Sequence, residues 1–230
     1  MTIPWGSIAN AAAVLIGSGL GLFLGGFISD RMHTLVFQLF GLCLVAIGLG
    51  MVAKGSEHMM IVLLSCVLGG ASGELMKLSE LLDSLGDRLK KKINSKNPAF
   101  TEGFVTGSVL VCAGAMAMVG SFEEGLGHGR TTVLTKTLLD FFAMMILASK
   151  LGAGVMFCSV TILVYQGGLT MLAGVLAPFM TPGMESALTA TGGILVMGIA
   201  VNMIGLKPPV SVSSSLPALV WAVILGGIFA

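Results

Sequence analysis

Lys136 and Asp140 are the residues whose types and spacing point most directly to chemistry. They lie four residues apart in the apolar stretch 132–149, TVLTKTLLDFFAMMILAS. On a helix this spacing places both side chains on one face. Ionisable residues at bilayer depth cost about 2.5–3.5 kcal/mol and face a bundle interior or a wet cavity. We interpret the pair as an ion or proton site with Lys136 as counter-charge, and the alternative is a structural ion pair that fixes the helix register.

Neutral polar residues recur at similar depth in other apolar stretches. Tyr165 and Gln166 are followed by two glycines near the middle of a stretch at 154–176. Paired glycines weaken a helix, and broken helices at the bilayer midplane are typical of transporter binding sites. Asn10 and Asn202 are further buried amides. These four residues either line a polar path with Asp140 or join helices by hydrogen bonds.

Other polar groups are less specific. Glu74 follows a glycine-rich run and lies three residues before Lys77, so it either reaches the membrane interface or lines the mouth of a path. Glu123 and Glu124 follow an apolar stretch, and we expect them at the surface. The cysteines and histidines have no metal-ligand spacing, and no phosphate loop or nucleophile elbow is present. We therefore expect no metal, no cofactor and no enzymatic activity.

Composition defines the class of protein. Hydrophobic residues make up 55% of the 230 residues and charged residues 10%, whereas soluble domains carry about 25% charged residues. A soluble chain of this composition would expose large apolar patches. The net charge of +1 argues against a nucleic-acid partner, because phosphate binding needs a basic surface. The sequence predicts an all-α protein with membrane lipids as its surroundings.

Stretches of about 20 apolar residues mark the helices that cross a bilayer. We predict about eight spans within a single transmembrane domain, 1–230. They are 7–28, 35–53, 59–76, 103–121, 132–149, 154–176, 190–206 and 213–230.

The polar segment 77–102 interrupts this pattern. Its leucines share one helical face and its charged residues lie elsewhere, which is typical of an amphipathic helix on a membrane surface. Basic loops stay in the cytoplasm, and five of the twelve Lys and Arg residues fall at 88–96. Placing this loop inside puts nine of the twelve on the inner side and both termini outside.

Two further patterns concern packing. The stretch GLCLVAIGLGMV from Gly41 resembles GGILVMGIAVNM from Gly192, which suggests an inverted repeat relating spans two and three to spans seven and eight. Small residues recur every four positions at Gly17, Gly21 and Gly25. Such ridges allow close helix packing, either within the chain or at the seam of a homodimer.

Several motifs together resemble a known family. They are GSIANAAAVLIGSGLGLFLG, EGFVTGSVLVCAGAMAMVGSFEEGL, KTLLDFF, VYQGGLT, TGGILVMGIAVN and SLPAL. In this order, over nearly the whole chain, they resemble the bacterial inner-membrane family classed as domain of unknown function 554. The resemblance implies a polytopic bacterial inner-membrane protein, and some members are labelled transport proteins. The matching motifs include Asn10, Glu102, Lys136, Asp140, Gln166 and Asn202.

Three functions fit this reading. The first is a transporter or channel for a small solute or ion, with Asp140 and Lys136 at a midplane site. The second is a scaffold or accessory protein that acts through its basic segment, 78–96. The third is an intramembrane enzyme, which needs two catalytic groups beside a lipid-accessible cleft. We expect a water-accessible cavity reaching Asp140 in a transporter, and a dry ion pair in a scaffold.

Overall fold

Helices make up almost all of the regular structure. The computed structural model describes residues 3–27, 29–112, 115–127 and 129–229, and this part of the chain contains no β-strand. The described residues form ten α-helices, which are α1 (Trp5–Gly25), α2 (Asp30–Lys54), α3 (Met59–Leu75), α4 (Leu78–Lys92), α5 (Phe100–Cys112), α6 (Ala115–Gly125), α7 (Thr131–Leu151), α8 (Cys158–Leu176), α9 (Pro182–Ile204) and α10 (Pro217–Phe229). Short 3₁₀ turns lie at Ser56–His58, Gly152–Phe157 and Ala177–Phe179.

The prediction of an all-α membrane helix bundle is confirmed. Among the described residues, five helical segments are long and apolar enough to cross a bilayer. They are Trp5–Gly25, Thr34–Lys54, Ser56–Leu75, Thr131–Leu176 and Pro182–Ile204. The number is six if Phe100–Cys112 and Met116–Gly125 form one bent span. The count of about eight spans is not confirmed.

Three differences account for the lower count. The 46-residue segment Thr131–Leu176 contains both the fifth and the sixth predicted spans. The fourth predicted span is bent by 72° between α5 and α6, on either side of residues 113 and 114, which lie outside the described residues. The last predicted span is shortened because turns occupy the residues before Pro217, so that α10 has 13 residues. A helix of that length covers about 20 Å, less than the bilayer core of about 30 Å.

The start of α9 also differs from the prediction. The helix begins at Pro182 rather than at residue 190. The Thr181 hydroxyl accepts a hydrogen bond from the Met184 backbone N–H at 3.2 Å, and proline suits the first helical position because its missing N–H would have no partner there.

The residues divide into two compact units, each formed by separate stretches of the chain. The first unit comprises the described residues among 1–37, 83–112 and 116–178. Its central contact is between α1 and α7. A side chain at Gly17, Gly21 or Gly25 would meet the backbone carbonyl of Phe141, Met145 or Ser149, respectively. The two helices therefore run parallel with their backbones in close contact, and the glycine ridge packs within the chain.

The second unit comprises the described residues among 38–82, 113–115 and 179–230. A side chain at Gly69 would meet Ala218, and one at Gly73 would meet the backbone of Ser214, so α3 and the start of α10 run antiparallel. Gly48 of α2 meets Gly193 of α9 in the same way. This unit contains the helices of the suggested repeat, and the repeat itself stays a prediction.

The polar segment 77–102 forms α4 and a loop, and α5 begins within it at Phe100. The helix ends in a Schellman motif. Asn94 has a φ of 52°, the Asn94 N–H donates to Lys91 O at 3.1 Å and the Ser95 N–H donates to Lys90 O at 3.0 Å. Asparagine tolerates this left-handed conformation, and Lys90, Lys91 and Lys92 in the last turn interact favourably with the negative end of the helix dipole.

Candidate functional site

Four polar side chains from three helices of the first unit form one hydrogen-bonded group. Asn10 belongs to α1, Lys136 and Asp140 to α7, and Gln166 to α8. The Asn10 Nδ2 donates to Asp140 Oδ2 at 2.8 Å and to Gln166 Oε1 at 3.0 Å. The Lys136 ammonium also donates to Asp140 Oδ2. We call these four residues the buried polar cluster.

The cluster is enclosed by the helices around it. The exposed fractions are 0% for Asn10, 5% for Lys136, 7% for Asp140 and 1% for Gln166. Asp140 lies about 14 Å along α7 from its first residue, and Gln166 about 12 Å along α8. Both positions are near the middle of helices that match the bilayer core in length.

The orientations of the two amides follow from their neighbours. Asn10 must present its NH₂ group to the carboxylate of Asp140, because its carbonyl oxygen would be repelled there. Gln166 must then present its carbonyl oxygen to that NH₂ group. This arrangement leaves Asn10 Oδ1 and Gln166 Nε2 buried without a hydrogen-bond partner.

Such unpartnered atoms are unfavourable in a folded protein. Leaving a buried polar group without a partner costs about 1–3 kcal/mol. A bound water or a ligand with both a donor and an acceptor satisfies groups of this kind. The cluster therefore has unused capacity to bind one donor and one acceptor, in addition to its ion pair.

Local sequence explains how the cluster forms. The i,i+4 spacing on α7 brings Lys136 and Asp140 together as the sequence predicts. The close contact of α1 with α7 places Asn10 within reach of Asp140. A side chain at Gly167 would lie 3.9 Å from Ser7, so this glycine lies where α8 approaches α1. The contacts of Asn10 with Asp140 and Gln166 depend on these two small-residue interfaces.

The other predicted site residues lie outside this network. Tyr165 is half-buried, next to Gln166 on α8. Asn202 belongs to the second unit, where its Nδ2 donates to Val210 O at 2.8 Å and its Oδ1 accepts from the Val210 N–H at 2.8 Å. Glu74 also belongs to the second unit and accepts a hydrogen bond from the Ser214 hydroxyl at 3.2 Å. Asn202 and Glu74 thus stabilise loop 205–216 locally.

Glu124 is a buried acid that the sequence did not reveal. We expected it at the surface, yet its side chain is only 1% exposed. Its Oε1 accepts a hydrogen bond from the Gly6 N–H at 2.8 Å, at the start of α1. The same oxygen lies 2.9 Å from Arg130 Nε. The sequence shows acids and a base close together here, but burial of one acid depends on how α1 packs against α6 and α7.

Among the described residues, no group of three or more His, Cys, Asp or Glu side chains could hold a metal ion. The free cysteines are Cys43, Cys66, Cys112 and Cys158.

Apolar helices of bilayer length around a buried polar cluster define a polytopic helical membrane protein. The family comparison agrees, because residues 5–226 match the family described as protein of unknown function (DUF554). The chain belongs to this family, as its motifs suggested.

Two relatives match most of the chain. An uncharacterized protein, YqgA, of Escherichia coli (strain K12) is 31% identical over 222 residues, which is 94% of each chain. An uncharacterized membrane protein, YdfK, of Bacillus subtilis (strain 168) is 25% identical over 206 residues, 88% of this chain and 87% of the relative. No solved structure matches.

Proposed function

We propose that this protein is a small transporter or channel of the bacterial inner membrane, with both termini outside. The buried polar cluster would be its site for a small ion or polar solute. The observation that carries this proposal is the pair of unpartnered amide atoms beside the Lys136–Asp140 ion pair. Most buried polar side-chain atoms in folded proteins have a hydrogen-bond partner, so two unpartnered atoms in one cluster favour a site that binds a water or a solute.

The charges of Lys136 and Asp140 limit which ions the buried polar cluster can bind. Lys136 and Asp140 together are neutral, so a lone cation or anion in the cluster would leave a net buried charge. Buried charges without a partner are strongly unfavourable. A cation or a proton at Asp140 therefore binds favourably only if the Lys136 ammonium loses its own proton or moves to solvent or to another partner.

The burial of the cluster distinguishes between an open channel and a transporter with alternating access. We expected a transporter to show a cavity that reaches Asp140, whereas Asp140 and Lys136 are almost fully buried in this conformation. Enclosure argues against an open channel and fits the occluded state of a transporter that exposes its midplane site alternately to each side. A scaffold would also enclose the ion pair, but it would give no role to the unpartnered amide atoms.

Flux into liposomes tests the proposal. The purified protein is reconstituted, and influx of H⁺, Na⁺, K⁺, Cl⁻ and small organic solutes is measured for the wild type and for Asp140→Asn. Asp83→Asn makes the same change on α4, at an exposed carboxylate, and serves as the matched control. We expect a flux that Asp140→Asn abolishes and Asp83→Asn preserves. Flux that survives in Asp140→Asn would rule out Asp140 as its site.

A scaffold function is the second candidate, and the surface of α4 favours it. Leu81 and Leu85 are 54% and 45% exposed. The residues that follow are basic, namely Arg88, Lys90, Lys91, Lys92 and Lys96. An amphipathic helix of this kind binds anionic lipid at a membrane surface.

Nanodiscs of defined lipid composition test this second candidate. If the basic segment binds anionic lipid, phosphatidylglycerol should raise the Tm of the wild type relative to phosphatidylcholine. Replacing the five basic residues by Gln should remove that difference. An equal Tm for the wild type in both lipids would exclude lipid binding by this segment.

A further inference from the structure

We infer that Glu124 is a second carboxylate of the ion path, which takes a proton from a surface pocket and passes it along α1 to Asp140. The inference rests on the proposed function and specifies its ion. It is carried by buried, unpartnered oxygen atoms on one face of α1, between the pocket and the buried polar cluster.

The surface pocket is the first part of this path. It has a volume of about 560 Å³ and is lined by Ile3, Trp5, Glu124, Gly127, Gly129 and Arg130. The Arg130 side chain is half exposed, whereas that of Glu124 is buried. Both interactions of Glu124, with the Gly6 N–H and with Arg130 Nε, use Oε1. Its Oε2 is buried and has no hydrogen-bond partner.

Helix α1 connects the pocket to the cluster. Glu124 contacts it at Gly6 and Asp140 contacts it at Asn10, and these positions are about 6 Å apart along the helix axis. Ser7 lies between them on the same buried face of α1. Its hydroxyl is fully buried and unpartnered. Within about one helical turn, α1 thus contacts both buried carboxylates, at Gly6 and Asn10. Ser7 lies between these positions, and Ser7 Oγ and Asn10 Oδ1 are unpartnered.

The proton is the ion that suits this arrangement. A hydroxyl both accepts and donates a hydrogen bond, so Ser7 can relay a proton without a net change. Other cations need several oxygen ligands at once, whereas a proton needs a single acceptor at each step. Among the described residues, Cys112 and Cys158 carry further titratable side chains that interact electrostatically with Asp140.

The transfer keeps protons in balance. A hydronium ion in the pocket protonates Glu124, which becomes a neutral carboxyl group. That group gives the proton through a bridging water to Ser7, because the two side chains are not hydrogen-bonded to each other. Ser7 releases its own hydroxyl proton to a second water, which is hydrogen-bonded to Asn10 Oδ1. The second water passes a proton to Asp140. Glu124 is then a carboxylate again and Asp140 is neutral, which frees Lys136 from its ion pair.

Proton uptake by liposomes tests the path. Liposomes loaded with a pH-sensitive dye receive an inward pH gradient while valinomycin and K⁺ hold the membrane potential at zero. We expect Glu124→Gln and Ser7→Ala each to lower the initial rate roughly tenfold or more, because a positioned proton carrier contributes at least that much. Glu123→Gln, the same change at the neighbouring residue, should retain the wild-type rate.

The outcomes separate this inference from the proposed function. If Asp140→Asn abolishes a flux that Glu124→Gln and Ser7→Ala leave unchanged, the inference is wrong and the proposed function stands. If the wild type moves another probe but no protons, the inference is wrong and the proposed function stands. If the wild type moves neither protons nor any other probe, both are wrong. If Glu124→Gln does not fold, the Ser7→Ala variant tests the inference by itself. Its initial rate of proton uptake should fall only if the Ser7 hydroxyl lies in the proton path.

Discussion

The α1–α7 contact of the first unit and the α3–α10 contact of the second unit share one packing device. In both, glycines four residues apart bring a helix against the backbone of another. The two contacts differ in their polar side chains. Beside α1 lie unpartnered buried atoms of Ser7, Asn10, Ser18, Glu124 and Gln166.

In the second unit, the polar side chains near α3 and α10 have hydrogen-bond partners. Trp221 Nε1 donates to the Ser72 hydroxyl at 3.2 Å, and Ser214 donates to Glu74. Thr191 on α9 is the exception, with a buried hydroxyl that has no partner. The same close packing of glycines against a helix backbone thus occurs in two different protein interiors. One is stabilised by completed hydrogen bonds, and the other keeps unused binding capacity at bilayer depth.

The largest expected effect concerns the ion pair of the first unit. Asp140→Leu leaves the Lys136 ammonium buried without its counter-charge and should lower the free energy of unfolding by about 3–5 kcal/mol. The measurement is an unfolding titration in mixed detergent micelles. Asp140→Leu combined with Lys136→Met should recover most of the loss, because an apolar pair of similar volume replaces the ion pair. A double variant as unstable as Asp140→Leu would contradict this account.

Replacing a ridge glycine by alanine should lower the free energy of unfolding by a similar amount in both units. Similar losses would show that both units use the same close packing of glycine against a helix backbone. Gly21→Ala places a methyl group against the Met145 carbonyl, and Gly73→Ala makes the equivalent change in the second unit. Each should destabilise the protein by about 1–3 kcal/mol. Gly19 and Gly70 have open space beside them, so their alanine variants should match or exceed the wild-type stability. A loss in only one unit would show that the two interfaces differ.

The smallest expected effect is the difference in stability loss between alanine variants of two asparagines, Asn10 and Asn202. Asn10→Ala removes the donor to Asp140 and Gln166 deep in the first unit and should cost about 2 kcal/mol. Asn202→Ala removes the two bonds to Val210 near an exposed loop and should cost about 0.5–1 kcal/mol, because water can replace those bonds. Unfolding titrations in the same micelles compare the two. Equal losses would remove the distinction between the two regions.

Much of the fold was predictable, because apolar stretches of bilayer length mark membrane helices. The predicted span 59–76 corresponds closely to α3, Met59–Leu75. The bend between α5 and α6 and the short α10 were not predicted, because hydropathy measures composition and does not show where a helix breaks. The Lys136–Asp140 contact was predictable because its i,i+4 spacing is local. Burial of Glu124 was not, because a charged residue at the end of a helix resembles a surface group in sequence.

The sequence by itself determined the membrane class, the family, most helix positions and the ion pair on α7, since each depends on composition or on neighbours in the chain. Only the tertiary structure decided which amides join that pair. Asn10 is 130 residues from Asp140 and 156 from Gln166, and it reaches both because glycines let α1 pack closely against α7. Asn202 has the same side chain in a similar apolar helix, yet its partner is its own loop. A polar residue's type does not specify its partner, because helix packing brings the groups together.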